Sequence, residues 1–252
     1  MSTRQVYIVT GSSSGVGAAT ALTLAKQGAA IAVNFSKSAA EAEAVVKQCK
    51  SLGGDAISVQ SDVAQDADCK KLTKAALDAF GRIDGLVNNA GSTRFVAMRD
   101  LEGISAEDFQ RIYGVNLIGA FQMVRACEKA LRAAKGSIVN VSSIASTRGL
   151  ASSIAYACSK GALNTLTICL ARALGPDVRV NAILPGFIET NWLKNGLGEN
   201  YAAYQAGSKA QSALNATLTP EEVADSIVML LQSPKTTGQL LTVDAGRSIG
   251  SI

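Results

Sequence analysis

The 252-residue chain contains no histidine. That absence removes the Ser-His-Asp triad, an imidazole general base and nearly every catalytic zinc site, since each needs an imidazole. Any acid-base chemistry must fall to another side chain. Aromatic residues make up only 5%, prolines number four, and the 23 glycines follow no three-residue period. These scarcities exclude a collagen, a low-complexity chain and most all-β sandwiches. The five cysteines, Cys49, Cys69, Cys127, Cys158 and Cys169, form no CxxC pair and no even framework. Neither a metal site nor a disulfide scaffold is expected, and a reducing cytoplasm fits best. No block of one charge stands out: 24 basic and 20 acidic residues are interspersed, and the longest basic run is Lys70-Lys71. The net charge of +4 therefore reads as a solvated surface and not as a nucleic-acid footprint. The longest uncharged stretch, Gln5 to Ala25, is interrupted by Gly11-Ser12-Ser13-Ser14-Gly15. It predicts neither a signal peptide nor a membrane span.

What is present is a 48% hydrophobic chain with enough apolar residues to bury one sizeable core, or two small ones. Short β-branched runs alternate with longer segments of helical period: Val6 to Thr10, Gly15 to Gln27, Ala30 to Phe35, Ala39 to Leu52, Ala56 to Gln60, Asp66 to Phe80 and Gly85 to Asn88. The pattern continues through Ala106 to Leu131, Ser137 to Val141, Tyr156 to Leu174 and Arg179 to Ile183. Strand-helix alternation of this kind specifies an α/β fold, a parallel sheet with helices on both faces. After Pro185 the pattern loosens, so residues 187–218 are expected to form an insertion above the carboxyl edge of the sheet. Thr219-Pro220-Glu221-Glu222 marks a new helix start, with Pro in the first turn. A last helix, Glu221 to Leu231, and a last strand, Leu240 to Val243, complete a single domain spanning 1–252.

Two segments carry chemistry. Thr10-Gly11-Ser12-Ser13-Ser14-Gly15-Val16-Gly17 lies between the first strand and the first helix, where glycines allow a tight turn and bring backbone N–H groups close to a pyrophosphate. Its spacing is GxxxGxG, and a strand-to-helix turn needs glycine in any case. Tyr156-Ala157-Cys158-Ser159-Lys160 opens a predicted helix, so Tyr156 and Lys160 share a face. A phenol with a pKa of about 10 is a poor base at neutral pH, but a neighbouring cation favours the phenolate. Taken alone, such a pair is also ordinary on an amphipathic helix.

With these motifs in their order, the chain resembles the short-chain dehydrogenase/reductases along nearly its whole length. Asn88-Asn89-Ala90-Gly91 is similar to the family motif at the end of the fourth strand, Asn116 to its helix asparagine, and Pro185-Gly186 with Thr190 to its PGxxxT. Ser143 precedes Tyr156 by the family's usual thirteen positions. Ser142 is the adjacent alternative, but neighbours on a strand point in opposite directions. The resemblance implies a Rossmann-like doubly wound sheet and an enzyme that interconverts a ketone and a secondary alcohol. It implies a catalytic set of Asn116, Ser143, Tyr156 and Lys160: Tyr156 as general acid or base, Ser143 on the substrate oxygen, Lys160 on the nicotinamide ribose while lowering the tyrosine pKa, and Asn116 supporting a water chain to Lys160. It further implies cofactor contacts from Gly11, Ser13, Ser14, Gly15, Val16 and Gly17 in the first loop. Asn34, Phe35, Ser36, Lys37, Asp62 and Val63 would face the adenosine side, and Asn89, Ala90, Gly91, Pro185, Gly186, Ile188 and Thr190 the rest of the cofactor, with Tyr156 and Lys160.

In this fold an acid after the second strand binds the ribose hydroxyls of NAD and repels the extra phosphate of NADP. The sequence there, Val33-Asn34-Phe35-Ser36-Lys37-Ser38, has no carboxylate. Asn34, Ser36 and Ser38 offer donors and Lys37 a cation, so NADP is the expected cofactor, with NAD as the alternative. Asp62 is expected at the adenine amino group or, alternatively, as a helix cap. Substrate choice is assigned to residues 94–99, 144–150 and the insertion with its Phe187, Trp192, Leu193, Tyr201 and Tyr204. The chain resembles 3-oxoacyl-(acyl-carrier-protein) reductases most. Against docking of an acyl carrier protein stand Ala133 and Ala134, where such relatives place basic residues, although Arg132 and Lys135 flank them. Reductases of small ketones, quinones or cyclic ketones and sugar or polyol dehydrogenases are the enzyme alternatives, and a catalytically silent cofactor-binding subunit is the non-enzyme one. The resemblance also implies a homotetramer or homodimer.

Overall fold

The computed structural model describes residues 4–250. Seven strands, β1 (Val6–Val9), β2 (Ala30–Phe35), β3 (Asp55–Gln60), β4 (Gly85–Asn88), β5 (Ser137–Val141), β6 (Arg179–Pro185) and β7 (Leu240–Val243), form one parallel sheet in the order β3-β2-β1-β4-β5-β6-β7. Successive side chains on a strand point to opposite faces, and the burial follows that rule. Val9, Ile31, Val33, Val87, Val139 and Ile183 enter one core with helices α1 (Gly15–Lys26), α2 (Ala39–Ser51) and α10 (Pro220–Gln232). Ile8, Ala32, Leu86, Ile138 and Val180 enter the other, beneath α3 (Asp66–Phe80), α5 (Ala120–Ala134) and α7 (Ile154–Leu174). Both faces are covered, which is why the strands read as continuous apolar runs.

The chain winds outward from β1 in both directions, so the strand order reverses between β1 and β4. In open sheets of this kind ligands sit at the carboxyl ends of the strands beside that reversal. The segment expected as one helix over 106–131 is α4 (Ala106–Tyr113), a π-helical turn (Gly114–Gly119) and then α5. The π turn inserts an extra residue per turn without ending the helix. Residues 187–218, expected as an irregular insertion, are largely helical: α8 (Asn191–Leu197), a short 3₁₀ turn and α9 (Tyr201–Ala210). Ile188 bridges Leu218 at the base of this segment, and Glu189 N–H donates to Leu218 O at 2.8 Å. A four-residue helix, α6 (Ala145–Arg148), follows β5. The expected start of the last helix holds: the Thr219 hydroxyl accepts from Glu222 N–H, and the Glu222 carboxylate accepts from Thr219 N–H at 2.8 Å. Among the described residues no helix is long and apolar enough to cross a membrane.

Candidate active site

The glycine loop is shaped by close contact. Gly11 has φ +60°, and a Cβ there would lie 2.9 Å from Ala90 Cα. At Gly17 a Cβ would lie 2.5 Å from both Asn89 Nδ2 and Gly11 O. The loop is therefore pressed against the residues after β4, and a side chain at either position would push them apart. Two amides clasp it there. Asn89 Nδ2 donates to Thr10 O and Gly11 O, both at 2.9 Å, while Thr10 Oγ1 accepts from the N–H groups of Asn89 and Ala90 at 3.0 Å. From the other side Gly11 N–H donates to Asn34 Oδ1 at 3.0 Å, and Asn34 Nδ2 donates to Ser61 Oγ at 2.8 Å.

This corrects one expectation. Asn34 is 2% exposed and its amide is turned inward, so it holds the loop and does not present a donor at the surface. The physical reason is that a buried amide must find protein partners for both ends, and Gly11, Ser61 and Val59 O supply them. Val16, Phe35 and Val63 likewise send their side chains into the cores. Ser36 and Lys37 are exposed at the end of β2, and Ser13 and Ser14 lie on the outer side of the loop. Asp62 is exposed at the end of β3, with Oδ1 accepting from Ala64 N–H at 3.0 Å; it closes a local turn, while α3 begins after Gln65.

Across the reversal the catalytic candidates converge. The Ser153 hydroxyl caps α7 by accepting from Tyr156 N–H at 3.3 Å, which sets Tyr156 in the first turn and Lys160 one turn further on the same face. Lys160 is 4% exposed; its Nζ donates to Val141 O at 2.6 Å and lies 5.7 Å from the centre of the Tyr156 ring. Ser143 faces the Tyr156 hydroxyl, close enough for its hydrogen bond to draw the phenol pKa down, whereas the Ser142 hydroxyl is buried and donates to Lys160 O at 3.2 Å. Asn116, in the π turn, accepts from Ser92 N–H at 2.7 Å through Oδ1. Its Nδ2 donates to Ser92 O at 3.0 Å and to Ser159 Oγ at 2.9 Å. A Cβ on Gly91 would lie 3.7 Å from Asn116 Oδ1 and 4.0 Å from Lys160 Nζ, so Gly91 joins these two groups.

The electrostatics differ from the expectation for Lys160. Burial pushes the Tyr156 phenol up to about 12, and the Ser143 hydrogen bond only partly offsets this. The Lys160 ammonium, itself pushed down to about 8 by burial, is turned to the Val141 carbonyl. Beyond Tyr156, the Trp192 ring on α8 lies 6.3 Å from the Tyr156 ring and 5.7 Å from Phe95. Thr190 caps α8, with Oγ1 accepting from Leu193 N–H at 3.3 Å, and its methyl group would lie 3.6 Å from a Cβ on Gly15. Pro185 ends β6, and a Cβ on Gly186 would lie 2.8 Å from Asp244 Cβ. Ile188, by contrast, belongs to the bridge with Leu218.

One group escaped the sequence reading. Asp108 Oδ1 accepts from Arg111 Nη2 at 3.0 Å and Oδ2 from Arg94 Nη1 at 2.5 Å; Arg111 Nη1 donates to Ser92 Oγ at 2.8 Å. The hydrogen bond from Arg111, with Arg94 adding to it, holds the Asp108 carboxyl down at about 2. The pattern Ser105-Ala106-Glu107-Asp108 is a capping-box signal that marks Asp108 locally, but nothing in it announces the two arginines.

A pressed glycine loop at the reversal point, a tyrosine-serine pair and a buried lysine behind it define an NAD(P)-dependent oxidoreductase acting on CH–OH or C=O groups. Comparisons agree. Residues 11–248 match the family model described as Enoyl-(Acyl carrier protein) reductase. A protein of Streptomyces violaceoruber, named as ketoacyl reductase 2 of the granaticin polyketide synthase, is 42% identical over 96% of this chain and 95% of its own length. The 3-oxoacyl-[acyl-carrier-protein] reductase of Synechocystis is 37% identical over 97% of each chain. A short-chain dehydrogenase/reductase structure from Burkholderia xenovorans superposes with a TM-score of 0.91 at 36% identity, covering 99% of this chain and 100% of that one. The chain belongs to the short-chain dehydrogenase/reductase family.

Proposed function

We propose that the protein is an NADP(H)-dependent reductase of a ketone to a secondary alcohol, working through Asn116, Ser143, Tyr156 and Lys160. The observation that carries this reading is the Tyr156 hydroxyl meeting Ser143 at the carboxyl edge of the sheet, with Lys160 buried one helical turn behind it. The residues fit a dinucleotide: the loop from Gly11 to Gly17 forms a cradle that a Cβ at Gly11 or Gly17 would fill. Ser13, Ser14 and Gly15 would hold the pyrophosphate. Gly91, Pro185, Gly186 and Thr190 would border the nicotinamide side, and Asp62 the adenine. The exposed Ser36 and Lys37, with no acid beside them, favour the 2′-phosphate. When bound, the cofactor supplies the hydride.

The chain's own groups do the rest. Ser143 donates to the substrate oxygen and stabilises the charge that develops there. Tyr156, kept protonated by its surroundings, gives its proton to that oxygen, or takes it back in the reverse direction. Lys160, whose Nζ now donates to Val141 O, would hold the nicotinamide ribose. Asn116, fixed by Ser92 and Ser159, holds the floor beside Lys160. Exposed apolar residues on α5 and α7 support self-association. Docking of an acyl carrier protein stays the weaker reading: of the two flanking cations, Arg132 is committed to Glu128 and Asp177 at 3.0 Å each, which leaves the exposed Lys135.

The test is oxidation of NADPH and NADH with acetoacetyl-CoA and a panel of diketones, quinones and cyclic ketones. NADPH is expected to give the higher kcat/KM. Tyr156→Phe is expected to lower turnover by roughly 10²–10⁴-fold, the range for loss of a positioned acid, while the dissociation constant for NADPH stays within about twofold. Retained turnover in that variant would remove Tyr156 from the mechanism.

A further inference from the structure

The chain has one tryptophan, and it stands beside the candidate proton donor. Trp192 is 45% exposed, so its indole is not spent on the core. Its ring centre is 6.3 Å from that of Tyr156 at an interplanar angle of 44°, and 5.7 Å from that of Phe95 at 59°. Both spacings fall within the range in which tilted aromatic rings attract one another. The set is held from both sides. Phe95 lies directly on Gly196 of α8, where a Cβ would come within 1.9 Å of the ring, so only glycine permits this approach. The loop carrying Phe95 is tied to the start of α7 by Val96 N–H donating to Ser152 O at 2.8 Å and by a 2.7 Å contact between the Thr93 and Ser152 hydroxyls.

Resting on the ketone-reductase reading, we propose that this site is built for a flat, ring-fused aromatic ketone, with Trp192 as the residue that selects it. A carbonyl within hydrogen-bond reach of Tyr156 and Ser143 brings any ring fused to it against the indole and the Phe95 ring. A flexible acyl chain gains apolar contact there but nothing from ring orientation, and it loses more conformational freedom on binding. A charged carrier arm finds few free partners: Arg99 is the exposed cation left on the loop that carries Phe95. Of the cations on the neighbouring loops, Arg94 is bound to Asp108 and Arg148 donates to Arg247 O. The reaction balances as ketone plus NADPH plus a proton giving secondary alcohol plus NADP⁺: the C=O π bond becomes a C–H and an O–H bond, with Tyr156 delivering the proton.

The test compares 2-tetralone with its saturated counterpart 2-decalone and with an acetoacetyl N-acetylcysteamine thioester, using NADPH and the wild-type, Trp192→Leu and Trp192→Phe proteins. The wild type should prefer 2-tetralone over 2-decalone by about tenfold in kcat/KM, the upper end of what one aromatic contact contributes. Trp192→Leu should bring that ratio to within about twofold of unity, and Trp192→Phe should restore most of it. A ratio near one in the wild type, a ratio that Trp192→Leu leaves alone, or a thioester used better than 2-tetralone would each overturn the proposal. A second readout does not need turnover. All indole emission comes from Trp192, so 2-tetralone added at saturating NADP⁺ should quench it while 2-decalone leaves it unchanged. Quenching without turnover of any ketone would support the aromatic site and overturn the reductase reading; turnover without quenching would do the reverse.

Discussion

Tyr156 and Lys160 are both held by burial in their neutral direction, the phenol up at about 12 and the ammonium down at about 8. For lysine the folded value lies below the unfolded one of 10.5, so below about pH 8 both states carry the proton and folding bears the whole cost of burying the charge. Between about 8 and 10.5 only the unfolded chain is protonated, and this contribution to stability rises with pH. A shift of that size corresponds to about 3 kcal/mol. The expected outcome, in denaturant unfolding without added cofactor, is that Lys160→Met gains on the wild type by about 3 kcal/mol more at pH 7.5 than at pH 10.5. A difference that stays flat over this interval would show that Lys160 is not desolvated. At this scale the sequence was most informative where chemistry needs a particular atom, as at Tyr156, Lys160 and Ser143. It was least informative at Asn34, because a string of letters does not say whether an amide at a strand end turns outward or back to Gly11 and Ser61.

At the scale of elements, most of the sheet was legible because a strand buried on both faces writes itself as a short apolar run. The bounds of β2, α3, β4, β5 and β7 coincide with those expected. Two features were not legible. The π turn at Gly114–Gly119 keeps a helical periodicity; its only traces are the two glycines, the second packed so that a Cβ would lie 2.9 Å from Val63 Cγ2. Helices α8 and α9 were hidden by the glycines and asparagines around them, yet their support is local: Thr190 caps α8, and α9 carries four alanines, the best helix formers. The Asp108 carboxylate shows what elements add to residues. Through Arg94 it braces the loop that carries Phe95, and through Arg111 and Ser92 it braces Asn116, without touching the reacting atoms. Asp108→Asn is therefore expected to raise KM for the ketone about three- to tenfold while kcat changes less than about twofold, since Tyr156, Ser143 and Lys160 keep their places. Steady-state kinetics of the two proteins separate the cases, and an equal loss in kcat would place Asp108 closer to the chemistry than its contacts do.

For the molecule as a whole, some of the exposed apolar side chains lie on the helices of one sheet face. Ile118 in the π turn and Phe121 at the start of α5 are 50% and 43% exposed, and Ile168 on the neighbouring α7 is 41% exposed. Single exposed apolar residues are ordinary, but these lie on adjoining helices that cover one face of the sheet. One neighbouring charge is engaged: Arg125 lies 5.7 Å from the Phe121 ring centre and is bound to Asp66 at 2.5 Å. Removing such side chains from water contributes about 25 cal/mol per Å² on association, and a two-fold pairing places the same residues opposite themselves, doubling the gain. A homotetramer, the larger of the two assemblies the family resemblance implies, is expected to run in multi-angle light scattering at about four times the 25.9 kDa chain mass, and a homodimer at about twice that mass. Phe121→Glu together with Ile168→Glu would set like charges against each other across that contact, and the double variant is expected to shift to half the mass or less at micromolar concentration. A mass that both changes leave untouched would move the interface elsewhere on the molecule.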